Sequence, residues 1–396
     1  MAVHSIAASS ADPVFEDIRP CRDDEVTAEL NKICNDKDLL QGIINFRYPL
    51  LSKLCPFILK PFVRKYLTQR CEHIKTIADF QKRVADFMHH TINTTTDGVE
   101  FVGFDKLSKD TGYLFVSNHR DISLDPAFID LALYEHGLDT VRIAIGDNLL
   151  KSSAATSLMR LNKSFIVQRS VESPREKLKA LTKLSAYIGL SIKEGHSVWI
   201  AQREGRAKDG DDRTEVSVLK MFHLYGRQLK QPFKDYIAGL NLVPVAISYE
   251  YDPSDLNKAR ELDARERNHG QYKKGKMEDL LTIAGGIKGY KGRIKVVAGD
   301  PIRGGFETPE ELAALIDRFI WTHYELFPSA LCAAGLEDKV KPEDAAKFKA
   351  RLSQYPEELR ARVSAMYAKP YFNLQQSNQA QGAAAAASAT DSAKSA

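Results

Sequence analysis

The sequence predicts an α/β fold: a mostly parallel central sheet covered by helices, with an N-terminal helical subdomain and a disordered C-terminal tail. Three observations lead there. Short apolar runs of strand length recur between residues 99 and 298. Helical patterns, including Arg175–Glu194 and Glu310–Leu326, lie between most of them, as a parallel, helix-covered sheet requires. Three of the runs end in clusters of polar functional groups, and in open α/β sheets ligands bind beyond the carboxyl ends of strands.

Taken in order, residues 1–40 are polar and read as an irregular segment, acidic at Arg22-Asp-Asp-Glu25. Residues 41–96 read as a helical subdomain. Within it, 43–71 holds Phe46, Tyr48, Phe57, Phe62 and Tyr66 among aliphatics, six Lys or Arg, and no acidic residue. Pro49, Pro56 and Pro61 are expected to break it into short helical pieces. Aromatic and basic side chains together suit an anionic membrane surface, where each cation contributes about 1 kcal/mol. The same composition also suits a subdomain packing its apolar side on the catalytic core. The α/β domain spans 97–330 and opens with the strand Val99–Phe104. Further strands are expected at Tyr113–Ser117, Val141–Ile145, Ser164–Gln168, Ser197–Ala201, Leu242–Tyr249 and Ile294–Ala298. Residues 331–374 are charged and read as helices. From Gln375 to Ala396 the chain is Gln, Ala and Ser with almost no apolar bulk beyond alanine, so this stretch is expected to be disordered.

The loop after the second strand reads Ser117-Asn-His-Arg-Asp-Ile-Ser-Leu-Asp125. Pro126 then opens an amphipathic helix. A histidine at a strand end beside Asp121 and Asp125 can form a general base, because a carboxylate fixes the imidazole tautomer and stabilises its charged form. A loop histidine beside a helix-capping aspartate fits the same spacing. Downstream, the strand ending at Ala201 delivers Arg203, Glu204, Gly205, Arg206 and Lys208 into one loop. Gly205 permits close backbone approach, and the cations suit a phosphate. Between them Leu161-Asn-Lys-Ser-Phe-Ile-Val-Gln-Arg169 is another strand ending in a cation.

These residues, in this order, resemble the glycerophospholipid acyltransferases over roughly 97–300. That family's first motif is Asn-His, four residues, then Asp, and Asn118-His119 matches its start. Phe165-Ile-Val-Gln-Arg169 resembles the second motif. Arg203-Glu204-Gly205-Arg206 is similar to the third, Pro-Glu-Gly-Thr-Arg. Leu242-Val-Pro-Val-Ala-Ile247 matches the apolar fourth. The family's Asp falls here on Leu124. A one-residue insertion makes Asp125 the partner of His119, with Asp121 as its rival. In the third motif Arg206 stands for Thr and Arg203 for Pro.

The resemblance implies an O-acyltransferase of phospholipid synthesis. His119 would be the general base, with Asp125 or Asp121 orienting it. Asn118, Arg169, Arg203, Glu204, Gly205, Arg206 and Lys208 would bind substrate. The acyl donor would be acyl-CoA or acyl-carrier protein, and the acceptor a phosphorylated glycerol or lysophospholipid. No metal and no tightly bound cofactor is expected. An acyl thioester hydrolase and a non-catalytic lipid- or membrane-binding protein of the same fold are the alternatives.

Composition narrows the classes. A net charge of +4 over 396 residues is too small to suggest nucleic acid, and no zinc-finger spacing or RNA-binding aromatic signature is present. The five cysteines show no CxxC pair, and residues 1–12 lack a basic and apolar leader. Reduced thiols in a cytoplasmic protein, peripheral on the inner face of a membrane, are expected. No apolar run reaches the ~18 residues that span a bilayer. Three further patterns carry less. His119-Arg-Asp121 has the order of a kinase catalytic loop but no glycine-rich loop before it or Asp-Phe-Gly after it. Gly285–Arg293 lacks P-loop context and reads as a connection into the last strand. Glu250, Asp252 and Asp255 read as the polar end of the fourth-motif strand.

Overall fold

The structure is a computed structural model, which describes residues 8–48, 56–150, 152–275 and 278–394. In chain order the N-terminal helices are α1 (Val26–Asn35), α2 (Lys37–Arg47), α3 (Pro56–Cys71) and α4 (Ile77–Thr95). Strands β1 (Val99–Val102) and β2 (Leu114–Ser117) follow, then α5 (Leu124–Glu135) and β3 (Arg142–Gly146). Next come α6 (Ser153–Leu161), β4 (Ser164–Val167), α7 (Pro174–Lys193) and β5 (Val198–Ala201). Helices α8 (Val216–Gln228) and α9 (Phe233–Gly239) lead into β6 (Leu242–Tyr249). The chain then runs through α10 (Asp255–Arg267), α11 (Glu278–Lys288), β7 (Ile294–Ala298) and α12 (Pro309–His323). It closes with α13 (Pro328–Ala333), α14 (Pro342–Ser353) and α15 (Glu357–Lys394).

The seven strands form one sheet in the order β1-β7-β6-β2-β5-β3-β4. Every neighbouring pair is parallel except β6 with β7. The expected α/β sheet is present, and its interior strands β2 and β6 are buried along their whole length, as strands covered by helices on both faces must be. Alternation decides which side chain meets which layer. Leu114, Val116 and Val198 face a core built with Tyr187 of α7, Phe222 of α8 and Ile316 of α12. Phe115, Trp199, Val245 and Ile247 face the other core, with Met88 of α4 and Phe128 of α5.

Parallel strands run in one direction, so β2, β3, β4 and β5 end on the same rim. The His119 loop leaves β2 and the Arg203–Lys208 loop leaves β5, and these two strands are hydrogen-bonded neighbours. Arg169 follows the end of β4, the edge strand two along from β5, beyond β3.

Two expectations about the flanks need correction. Residues 26–35, read as irregular, form α1, because Val26 and Leu30 on one face join Ile74, Ile77, Phe80 and Leu161 in a small core of their own. Pro61 lies inside α3 without ending it. The helix α15 reaches into the start of the tail that begins at Gln375. Gln376 accepts a hydrogen bond from Arg213 at 2.9 Å and Ser377 is buried, so tertiary contact supplies what the composition lacks. Residues 49–55 of the basic–aromatic segment lie outside the described residues. On α3, Ile58, Phe62 and Tyr66 are exposed at successive fourth positions, which places them on one face.

Candidate active site

Asn118, the first residue past β2, is fully buried. Its Oδ1 accepts from the Ile247 N–H at 2.8 Å, and its Nδ2 donates to the Ile247 carbonyl at 3.0 Å and to Asp212 at 3.3 Å. The side chain therefore mimics a strand residue pairing with β6. This corrects the substrate-binding role expected of Asn118. Its amide is spent on protein, and its effect is to fix where the chain leaves the sheet.

His119 emerges from that anchor with its side chain 14% exposed. Its Nδ1 lies 2.8 Å from Asp125 Oδ2, and its ring meets Trp199 edge-on at 5.8 Å between centroids. The indole N–H in turn donates to Ser117 Oγ at 2.9 Å. Asp125 is wholly buried in the first turn of α5. Its Oδ2 also accepts from the backbone N–H groups of Arg120 (2.7 Å) and Asp121 (2.9 Å), and its Oδ1 accepts from the Tyr249 hydroxyl (2.8 Å). Four donors thus surround one carboxylate. An acceptor-only group beside His119 Nδ1 puts the proton on that nitrogen and leaves Nε2 as the acceptor.

Asp121, the rival partner, does not meet the ring. Its Oδ1 accepts from the N–H groups of Ser123 and Leu124, each at 2.9 Å, so it caps the start of α5. Its Oδ2 is buried without a partner and faces Gly286 of α11, where an added Cβ would come within 2.3 Å. Burial, and secondarily the nearby Asp125, pushes the Asp121 carboxyl up from its usual range. The catalytic role held open for Asp121 is corrected to a capping one, because its hydrogen bonds go to the helix end.

Arg120 points the other way. Its guanidinium is buried against Asp212, with an Nη2–Oδ2 distance of 2.5 Å, and also donates to the Gly210 carbonyl at 3.0 Å. Tyr324 lies under it at 5.3 Å. This pair straps the His119 loop to the far end of the Arg203–Lys208 loop. Gly210 itself has φ +81°, and a Cβ there would strike the Met366 carbonyl at 2.2 Å, so α15 packs directly on the strap. Two backbone bonds finish the join, from Gln202 N–H to the Ser117 carbonyl and from Ala207 N–H to the His119 carbonyl, each 2.8 Å.

The cations of the second loop divide by partner. Lys208 is committed to buried Glu261 at 2.7 Å, and desolvation lowers its pKa. Arg169 and Glu204 pair with each other at 3.5 Å and are both exposed, which brings the ends of β4 and β5 together. Among the described residues, Arg203 Nε and Arg206 Nη1 are buried N–H donors with no hydrogen-bond partner, although Arg203 Nε lies 3.9 Å from Glu215 Oε1. Arg206 also depresses the pKa of the buried Lys258, behind desolvation as the main cause. Gly205, at φ +75° with open space around its Cβ direction, supplies the left-handed turn between the two arginines. Orphaned buried donors carry a free-energy cost of about 1–3 kcal/mol each, which an anion accepting from them would offset.

Residues that sequence reasoning missed are Tyr249, Arg120 and Asp212. Tyr249 was read only as the last residue of an apolar strand. Its hydroxyl gave no signal, because the pairing with Asp125 joins residues 124 positions apart. Among the weaker candidates, Lys291 of the glycine-rich segment is occupied by Thr95, Ile287 and Gly289. Glu250 pairs with Arg293, Asp252 with Lys258, and Asp255 with Arg351. Among the described residues no His/Cys/Asp/Glu group could hold a metal, and no helix is long and apolar enough to cross a membrane.

Residues 98–248 match the acyltransferase family model, a span that contains β1 to β5, all of β6 but Tyr249, and the His119 and Arg203–Lys208 loops. Comparison with curated proteins gives no match. Among solved structures, the chain is similar to the 1-acyl-sn-glycerophosphate acyltransferase PlsC from Thermotoga maritima. The identity is 15%, the alignment covers 71% of this chain and 94% of that one, and the TM-score is 0.36.

Proposed function

We propose that the acyltransferase domain at residues 98–248 moves a fatty acyl group from an acyl thioester to a hydroxyl of a phosphorylated glycerol-type acceptor in phospholipid synthesis. The observation that carries this reading is a pairing of two features on one rim. A histidine held by a buried carboxylate stands beside a loop whose two arginines keep buried N–H donors without a hydrogen-bond partner among the described residues.

In the proposed reaction His119 Nε2 takes the acceptor's hydroxyl proton as that oxygen attacks the thioester carbonyl. The tetrahedral intermediate expels the thiolate, which regains the proton from the imidazolium. Alcohols are weak nucleophiles near neutral pH, so a positioned base contributes roughly 10²- to 10⁴-fold. Arg203 and Arg206 bind the acceptor's phosphate, with Arg169 at the rim, and so convert binding energy into orientation of the hydroxyl. Acyl-CoA or acyl-carrier protein is the donor, and the chemistry calls for no metal or resident cofactor. In this reading the enzyme works in the cytoplasm at the inner face of a membrane. Ile58, Phe62 and Tyr66, with Lys60, Arg64, Lys65 and Arg70 on the same helix, are the contact with anionic lipid. Sedimentation with anionic vesicles at low salt tests that contact: Phe62→Glu is expected to abolish it, and equal binding by wild type and variant contradicts it.

The phosphate assignment is tested by Arg206→Ala. The apparent KM for a phosphorylated acceptor is expected to rise about tenfold or more, the effect of losing a charge-assisted hydrogen bond. The KM for the acyl donor should stay within about twofold if the contact is to acceptor alone. Equal rises for both substrates would remove the assignment.

A further inference from the structure

We infer that Tyr249 is a positioning residue of the reaction, setting the basicity of His119 through Asp125. The inference rests on the proposed role of His119 as base. Tyr249 ends β6, on the same face as Val245 and Ile247 and against Phe128 of α5. Its hydroxyl donates to Asp125 Oδ1 at 2.8 Å, and both residues are buried, Asp125 completely and Tyr249 to 4% exposure. The other carboxylate oxygen faces His119 Nδ1 at 2.8 Å. A chain of two hydrogen bonds therefore runs from the sheet to the imidazole, with no solvent in between.

The phenol draws negative charge toward Oδ1 and away from the oxygen that stabilises the imidazolium. Other charges around it are fixed in place. Asp121 lies on the capping turn, Asp252 beyond the strand end is paired with Lys258 of α10, and Arg120 is paired with Asp212. Tyr324, under Arg120, is the other phenol nearby. Burial and the adjacent Asp125 push the Tyr249 phenol well above its ordinary range, so it stays a donor throughout the working pH span. The two backbone N–H donors to Asp125 belong to every variant, so apart from His119 itself the Tyr249 bond is the one set by a side chain that substitution can remove.

Removing the hydroxyl leaves more charge on Oδ2. The imidazolium is then favoured, His119 is protonated to higher pH, and the acid limb of the rate profile moves upward. For Tyr249→Phe the acid limb of kcat/KM is expected to rise by about half a pH unit. The pH-independent kcat should fall about tenfold as the imidazole loses its alignment, with both KM values within about twofold. In an Asp125→Asn background the same substitution should have no further effect on the limb, because the route to His119 is already cut. Replacing Tyr249 with 3,5-difluorotyrosine, a stronger donor, should move the limb downward and serves if Tyr249→Phe does not fold. An unmoved acid limb in both single variants, or an equal shift with and without the Asp125 carboxylate, overturns the inference. Full activity of His119→Ala would instead overturn the general-base reading beneath it.

Discussion

His119→Ala is expected to lower acyl transfer by roughly 10²- to 10⁴-fold, the range a positioned general base supplies, while leaving the fold intact. The side chain is 14% exposed, and its ring meets Asp125 through a hydrogen bond and Trp199 edge-on. Its loss leaves Asp125 with three remaining donors. Stability should therefore change little, whereas kcat collapses with KM values nearly unchanged. Steady-state kinetics alongside urea unfolding separates the two. A variant that retains a tenth or more of wild-type kcat would mean that the acceptor is activated by something else.

Asp125→Ala has the larger effect on the molecule as a whole. It strands the Tyr249 hydroxyl, the N–H groups of Arg120 and Asp121, and His119 Nδ1 at once. Each buried orphan costs about 1–3 kcal/mol, and neighbouring losses do not add fully, so on the order of 3–6 kcal/mol of stability is expected to go. Asp125→Asn keeps the shape and gives the cleaner kinetic measurement. It should cut kcat about as deeply as His119→Ala if the carboxylate's charge matters to the imidazolium. Asp121→Asn is the control: it keeps the capping oxygen and does not touch the ring, so kcat should stay within about threefold. The reverse order of effects would give the catalytic partnership to Asp121.

How much of this was legible from the residues follows from the range of the interactions. The strands were readable because Leu242–Ile247 and Val296–Ala298 are apolar without interruption, as strands covered by helices tend to be. The His119 and Arg203–Lys208 loops were readable because strand ends on a parallel sheet share a rim. The choice between Asp121 and Asp125 was not, since both stand within one helical turn of each other and only the backbone path decides which carboxylate turns inward. Asn118 was misread for a related reason: an amide next to a catalytic histidine looks like a ligand group until the Ile247 backbone is found opposite it. Arg120, Asp212 and Tyr249 depend on partners some 90 or more positions away, which neither periodicity nor spacing encodes. Gln376 is likewise held by Arg213, 163 positions away.

The two loops matter together, because a base without a bound acceptor would hand the acyl group to water. The measurement that tests this most directly follows an acyl thioester with a phosphorylated glycerol acceptor, with its dephosphorylated form, and with neither. Ester formation that depends on the phosphate, with little free fatty acid released in the other two reactions, is the predicted result. Thioester consumption at the same rate in all three, yielding free acid, would contradict it.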